Sequence, residues 1–134
     1  MLETFTIQCD CGTIEAKTTD FPITTGYCHC EDCRELRQLP FFPVVAFEKF
    51  NVEIIKGSDS ISIYQHPTKR MTRVFCEHCG ETLYNTNAMG WKVFSQQVME
   101  KGNNGKLPPS MNPRAHFFYS RRIIDISDSL PKIG

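Results

Sequence analysis

Seven cysteines fall into three groups along this chain of 134 residues, and the grouping decides what chemistry they can do. Cys9-x-Cys11 and Cys76-x-x-Cys79 are paired knuckles with 64 residues between them, whereas Cys28-His29-Cys30-Glu31-Asp32-Cys33 packs three thiols into six residues. The two knuckles together offer four thiolates, the closed tetrahedral set that a structural zinc ion takes. Gly12 and Gly80 follow the pairs directly. Glycine there lets the chain turn tightly enough for backbone N–H groups to face the sulfurs. Such a site ties the start of the chain to its second half, as a long-range disulfide would. Two disulfides, or a solitary redox Cys-x-x-Cys, are the competing readings.

Cys28, Cys30 and Cys33 remain. Three protein ligands with the fourth position open is the donor set of a catalytic zinc, whose free position takes water or a substrate sulfur. A fourth protein ligand would close the cluster into a second structural site. His29 is the nearest candidate, but its place between two ligands points it away from a metal they share, and His66, His78 and His116 stay open as alternatives. Glu31, Asp32 and His29 lie near enough in sequence to serve as general acid or base, although a solvated or supporting role is the commoner fate of such residues.

The elements that must hold these thiols are mostly strands. Phe5 and Ile7 alternate with polar residues over Thr4 to Gln8, and Ile14 and Ala16 do so over Thr13 to Thr18, which predicts a hairpin around the first knuckle. Ile23 to Tyr27 leads into the three-thiol cluster, and Glu31 to Arg37 suits one or two helical turns before Pro40. Phe41 to Phe47 reads as a buried strand, with Pro43 favouring an edge or a bulge. Further strands are expected at Val52–Lys56, Ile61–Gln65, Met71–Phe75, Thr82–Thr86, Trp91–Phe94, Ala115–Tyr119 and Ile123–Ile126. Ser95 to Arg114, broken by glycines and prolines, shows no sustained period and reads as a long loop that would either cover a pocket or lie on the surface. Trp91, Phe41, Phe42, Phe47, Phe117 and Phe118 are most simply core.

Composition narrows the classes. Fifteen basic residues balance 15 acidic ones, so neither a nucleic-acid surface nor a basic membrane-binding face is expected. The longest apolar run, Leu39 to Phe47, falls far short of the ~20 residues of a membrane span. Met1 to Ile7 lacks the charged and apolar regions of a signal peptide, which predicts a cytoplasmic protein whose clustered thiols are metal ligands or catalytic groups. The length suits a single domain over residues 1–134 that buries about 70% of its unfolded surface.

Cys9-x-Cys11-Gly12, Cys28-His29-Cys30-x-x-Cys33-Arg34, Phe75-Cys76-x-x-Cys79-Gly80-x-x-Leu83 and Pro113-x-x-His116-Phe117-Phe118, in this order, resemble the glutathione-dependent formaldehyde-activating enzyme family over most of the chain. The resemblance implies a mostly β, zinc-stabilised fold of the β-tent type, similar to methionine sulfoxide reductase B and the Rab-binding zinc chaperones. It implies carbon–sulfur lyase chemistry on thiol–aldehyde adducts. The family's founding reaction joins glutathione to formaldehyde as S-hydroxymethylglutathione. Carried onto this sequence, Cys9, Cys11, Cys76 and Cys79 would hold structural zinc and Cys28, Cys30 and Cys33 catalytic zinc, two Zn²⁺ per chain. The two carboxylates of a glutathione-like thiol call for cationic partners; Arg34 and Arg73 flank the cysteine clusters, and Arg114 is a further candidate. The chain departs from the family pattern at Glu35–Phe41 and Ser95–Val98, stretches that would shape the thiol pocket. A non-catalytic zinc-binding interaction module of the same fold and a thiol redox enzyme working through Cys30 and Cys33 are the alternatives.

Overall fold

The computed structural model describes residues 4–134, leaving Met1–Glu3 outside. Ten strands run in chain order: β1 (Thr4–Gln8), β2 (Glu15–Thr19), β3 (Thr24–Cys28), β4 (Phe42–Phe47), β5 (Val52–Lys56), β6 (Ile61–Gln65), β7 (Thr72–Cys76), β8 (Thr82–Thr86), β9 (Lys92–Ser95) and β10 (His116–Phe117). Two helices, α1 (Glu31–Arg37) and α2 (Gln96–Gly102), follow β3 and β9. β1, β2 and β5 form a three-stranded antiparallel sheet. The other strands form a seven-stranded sheet in the order β10-β3-β4-β9-β8-β7-β6, antiparallel except where β10 joins β3. This is the mostly β architecture expected from the sequence.

The period-2 pattern does its work in β1, whose Phe5 and Ile7 are buried while Thr4 and Gln8 are exposed. They meet Val45, Phe47, Phe94 and Leu83 of the larger sheet in one core. β4 is apolar throughout because both of its faces are covered. Val45 and Phe47 enter the core between the sheets, and Phe42, Val44 and Ala46 join a second cluster with Cys28, Cys33 and Leu36 of α1. The larger sheet therefore has a structural face and a face that carries the three-thiol cluster.

Pro43 lies in a central strand, not at an edge or bulge. Its partner across β3 is Tyr27, which donates its N–H outward to Ala115 O (2.9 Å), so Pro43 has no ladder bond to lose on that side. Pairing with β9 begins only at Val44. The long loop expected at Ser95–Arg114 contains α2: Ser95 Oγ accepts from Val98 N–H (3.0 Å) as its cap, and Val98 and Met99 are buried. Asn103 then clips the helix to β1, with Nδ2 donating to Thr6 O (2.9 Å) and Oδ1 accepting from Thr6 N–H (3.2 Å). The strand expected at Ile123–Ile126 does not form. The open edge of β10 is taken by residues 131–133 instead, through His116 N–H to Pro131 O, Ile133 N–H to His116 O and Tyr119 N–H to Ile133 O. No described helix is long and apolar enough to cross a membrane.

Candidate functional site

The outer four cysteines, whose two pairs are 65 positions apart from Cys11 to Cys76, converge with all sulfurs within 4.8 Å of one another. Cys9 and Cys11 Sγ lie 3.7 Å apart, as do Cys11 and Cys76 Sγ. Zinc–sulfur bonds of about 2.3 Å at tetrahedral angles set sulfurs about 3.8 Å apart, so the spacing fits that ion. Gly12 and Gly80 both take positive φ (76° and 77°) and donate to Cys9 O (2.9 Å) and Cys76 O (2.8 Å). The glycines thus bend the two knuckles alike without contacting sulfur themselves. Sulfur is addressed by another amide: Ile14 N–H donates to Cys9 Sγ (3.3 Å). Thr13 lowers the Cys11 thiol to about 6 by hydrogen bonds from its side chain and backbone.

The inner three are placed by a strand end and a helix start. Cys28 closes β3, Cys30 is the N-cap of α1 with its Sγ accepting from Cys33 N–H (3.3 Å), and Cys33 sits in the first turn. Cys28 Sγ lies 3.2 Å from Cys30 Sγ and 3.3 Å from Cys33 Sγ. At that spacing the thiols compete for one charge. Donation from Cys28 and Cys33 lowers Cys30 to about 3, while its neighbour Cys30 pushes Cys28 up to about 12 and Cys28 and Cys30 drive Cys33 up as well. A divalent cation is what would let all three ionise together. Among the described residues no fourth Cys, His, Asp or Glu ligand atom joins the cluster.

The histidines are engaged elsewhere. Strand alternation turns His29 away from its cysteine neighbours into a fully buried position, where its Nε2 meets His116 Nδ1 at 2.8 Å. His116 Nε2 in turn meets Asp128 Oδ2 at 2.8 Å. Burial lowers the pKa of His29. His66 pairs with Glu35 (3.0 Å), and His78 with Ser60 (3.2 Å).

Cys28, Cys30 and Cys33 form part of the wall of a cavity of about 650 Å³. Glu31, Asp32, Arg70 and Arg121 also line it; Asp32 is tied to Lys69 at 2.7 Å. The structure does not bring the expected arginines here. Arg34 braces backbone, donating to His29 O (3.2 Å) and Arg121 O (3.1 Å). Arg73 stacks over Phe75 (4.5 Å), donates to Thr82 Oγ1 (3.0 Å) and lines a second cleft of about 560 Å³ together with Arg37 and His66. Arg114 lies beside Thr25. No residue of 96–114 lines the larger cavity, because α2 docks on β1. Arg70 and Arg121 carried no sequence signal; Arg70 stands six positions before Cys76 and Arg121 far beyond Cys79, and both reach the three-cysteine cavity only by folding. Phe118, read as core, is 54% exposed at the cavity and holds left-handed backbone (φ 54°).

A two-sheet β fold with a closed four-cysteine cluster on one side and an open three-cysteine cluster facing a cavity defines a thiolate-rich protein in which either cluster could hold a metal ion. Residues 4–121 match the family described as glutathione-dependent formaldehyde-activating enzyme, and the chain belongs to that family. A crystal structure of a Rhodobacter sphaeroides protein, a structural-genomics target, shares the fold with a TM-score of 0.57 at 16% identity, over 78% of this chain and 91% of that one. No curated protein matches the chain by sequence.

Proposed function

We propose that the chain is a zinc-dependent carbon–sulfur lyase acting on thiol–aldehyde adducts, of the kind its family's name describes for glutathione and formaldehyde. The observation that carries this reading is the contrast between the two clusters: four sulfurs that complete a ligand set among themselves, and three sulfurs with no fourth ligand that face a cavity. Cys9, Cys11, Cys76 and Cys79 serve as a structural zinc site, and Cys28, Cys30 and Cys33 as the catalytic one. A bound zinc would supply Lewis acidity, holding the substrate sulfur as thiolate at neutral pH.

In the cleavage direction the S–C bond breaks with its electron pair staying on sulfur, the C–O bond becomes a carbonyl, and the hydroxyl proton leaves to a base. Glu31 is placed for that proton, since it lines the cavity while Asp32 is held by Lys69. His29 is not, being buried against His116. Arg70 and Arg121 are the cavity's cations for the carboxylates of a glutathione-like thiol; Arg34 keeps the cluster's loop in shape through His29 O. Zinc analysis together with two-dimensional exchange NMR of the glutathione–formaldehyde–adduct equilibrium tests the proposal. Two zinc ions per chain and exchange well above the uncatalysed rate, lost in Cys33→Ser, are expected. One zinc per chain with exchange at the spontaneous rate for every adduct offered would leave a non-catalytic zinc module.

A further inference from the structure

The cavity beside Cys28, Cys30 and Cys33 is built for more carbon than formaldehyde brings. Its wall runs from the thiols along one face of the larger sheet, where Val44 and Ala46 of β4 and Val93 of β9 stand side by side, Ala46 opposite Val93 in the register. Met71 and Trp91 join this apolar surface. Phe117 also lines the cavity and packs on Gly26, where a Cβ would meet the ring at 2.3 Å and Ala115 O at 2.7 Å. Two more apolar side chains line the cavity while largely open to water, Met89 at 66% and Phe118 at 54% exposure. Phe118 is held out on left-handed backbone, a conformation that bulky residues avoid unless the surroundings impose it. The charged lining comes from other elements: Glu31 and Asp32 in the first turn of α1, and Arg70 and Arg121.

We propose that the substrate of this site carries an apolar substituent of several carbons on the carbon bonded to sulfur, so that the chain handles adducts of longer alkyl or aromatic aldehydes in preference to that of formaldehyde. The proposal rests on the lyase reading above and assigns its substrate class. The polar ends of the thiol meet the arginines and Glu31, and the substituent lies along Val44, Ala46, Val93 and Trp91. Burial of each added methylene strengthens binding up to about fourfold while the cavity has room.

Binding is tested with S-methyl-, S-butyl- and S-hexylglutathione, read by calorimetry and by the fluorescence of Trp91, the chain's one tryptophan and a cavity residue. Affinity is expected to rise at least tenfold from methyl to butyl. Ala46→Leu, which narrows the sheet wall, removes that gain. Met89→Ser, at an exposed position that does not endanger folding, shrinks it severalfold. A flat or absent response across the series overturns the proposal. Exchange rates for the formaldehyde, butanal and benzaldehyde adducts separate the two readings. Fastest turnover of the formaldehyde adduct overturns the substrate class and leaves the lyase. A retained chain-length gain without turnover of any adduct overturns the lyase and leaves an apolar thioether site.

Discussion

Removing one surface ligand of the four-cysteine cluster separates a structural metal from an incidental grouping of thiols. Cys79 lies at the surface, so Cys79→Ser changes a ligand and little packing. The link it weakens, Cys11 to Cys76, spans 65 positions, and the chain-entropy expression for closing a loop of that length gives about 4 kcal/mol. The comparison variant is Cys30→Ser. It keeps an N-cap acceptor for Cys33 N–H and breaks a cluster whose widest link, Cys28 to Cys33, spans five positions, worth about 2 kcal/mol on the same expression. An unfolding entropy of about 2.1 cal/mol/K per residue converts these to falls in Tm of about 15 °C and about 7 °C. Calorimetry of the zinc-loaded proteins without chelator, with metal content measured on the same samples, is the assay. Cys79→Ser is expected to lose one metal ion and melt well below Cys30→Ser. A Cys79→Ser protein that melts within a few degrees of the parent, or above Cys30→Ser, would refute the cross-link.

Two further outcomes follow from the same structure. Asp128 accepts from Lys132 and from the buried His116, which hold its carboxyl at about 2, below its ordinary 3.8. A carboxyl depressed in the folded state adds stability that is complete above pH ~4 and is lost as pH falls toward 2. The urea midpoint of the parent should therefore drop more steeply between those values than that of Asp128→Asn, and parallel curves would exclude the contact. Gly102→Ala places a Cβ 2.1 Å from Thr6 O, backbone against β1. Separation of the two should break both Asn103–Thr6 hydrogen bonds and cost about 2–3 kcal/mol in urea unfolding, with faster hydrogen exchange at Thr6; a loss under about 0.5 kcal/mol would mean that α2 does not depend on this contact.

The elements that read cleanly in the sequence are those whose signal is local. Alternation in Thr4–Gln8 specifies a half-buried strand wherever that strand docks, and the helix formers of Glu31–Arg37 ahead of Pro40 make a short helix. Knuckle cysteines followed by glycine are a local bend that needs positive φ, which Gly12 and Gly80 adopt. Local signal misleads where a partner far along the chain decides. Ser95–Arg114 has weak helical periodicity, yet Val98 and Met99 become a helix face because β1 and the core lie beside them. Pro43 is tolerated in a central strand because Tyr27 directs its N–H to Ala115, 88 residues downstream. Ile123–Ile126 loses its strand because residues 131–133 occupy the edge.

By itself the sequence determined which thiols belong together, since ligand count and spacing are properties of the chain, and it determined the strand content, since side-chain alternation follows from backbone geometry. Only the tertiary structure decided what surrounds the open cluster. It turned His29 into the core against His116, set Arg34 to bracing backbone and Arg73 to a different cleft, and brought Arg70, Arg121, Met89 and Phe118 to the cavity. The physical reason is that short cysteine spacings mark each ligand knuckle within the chain, whereas a pocket is the space left between distant elements, and its lining is fixed only when the sheet order is.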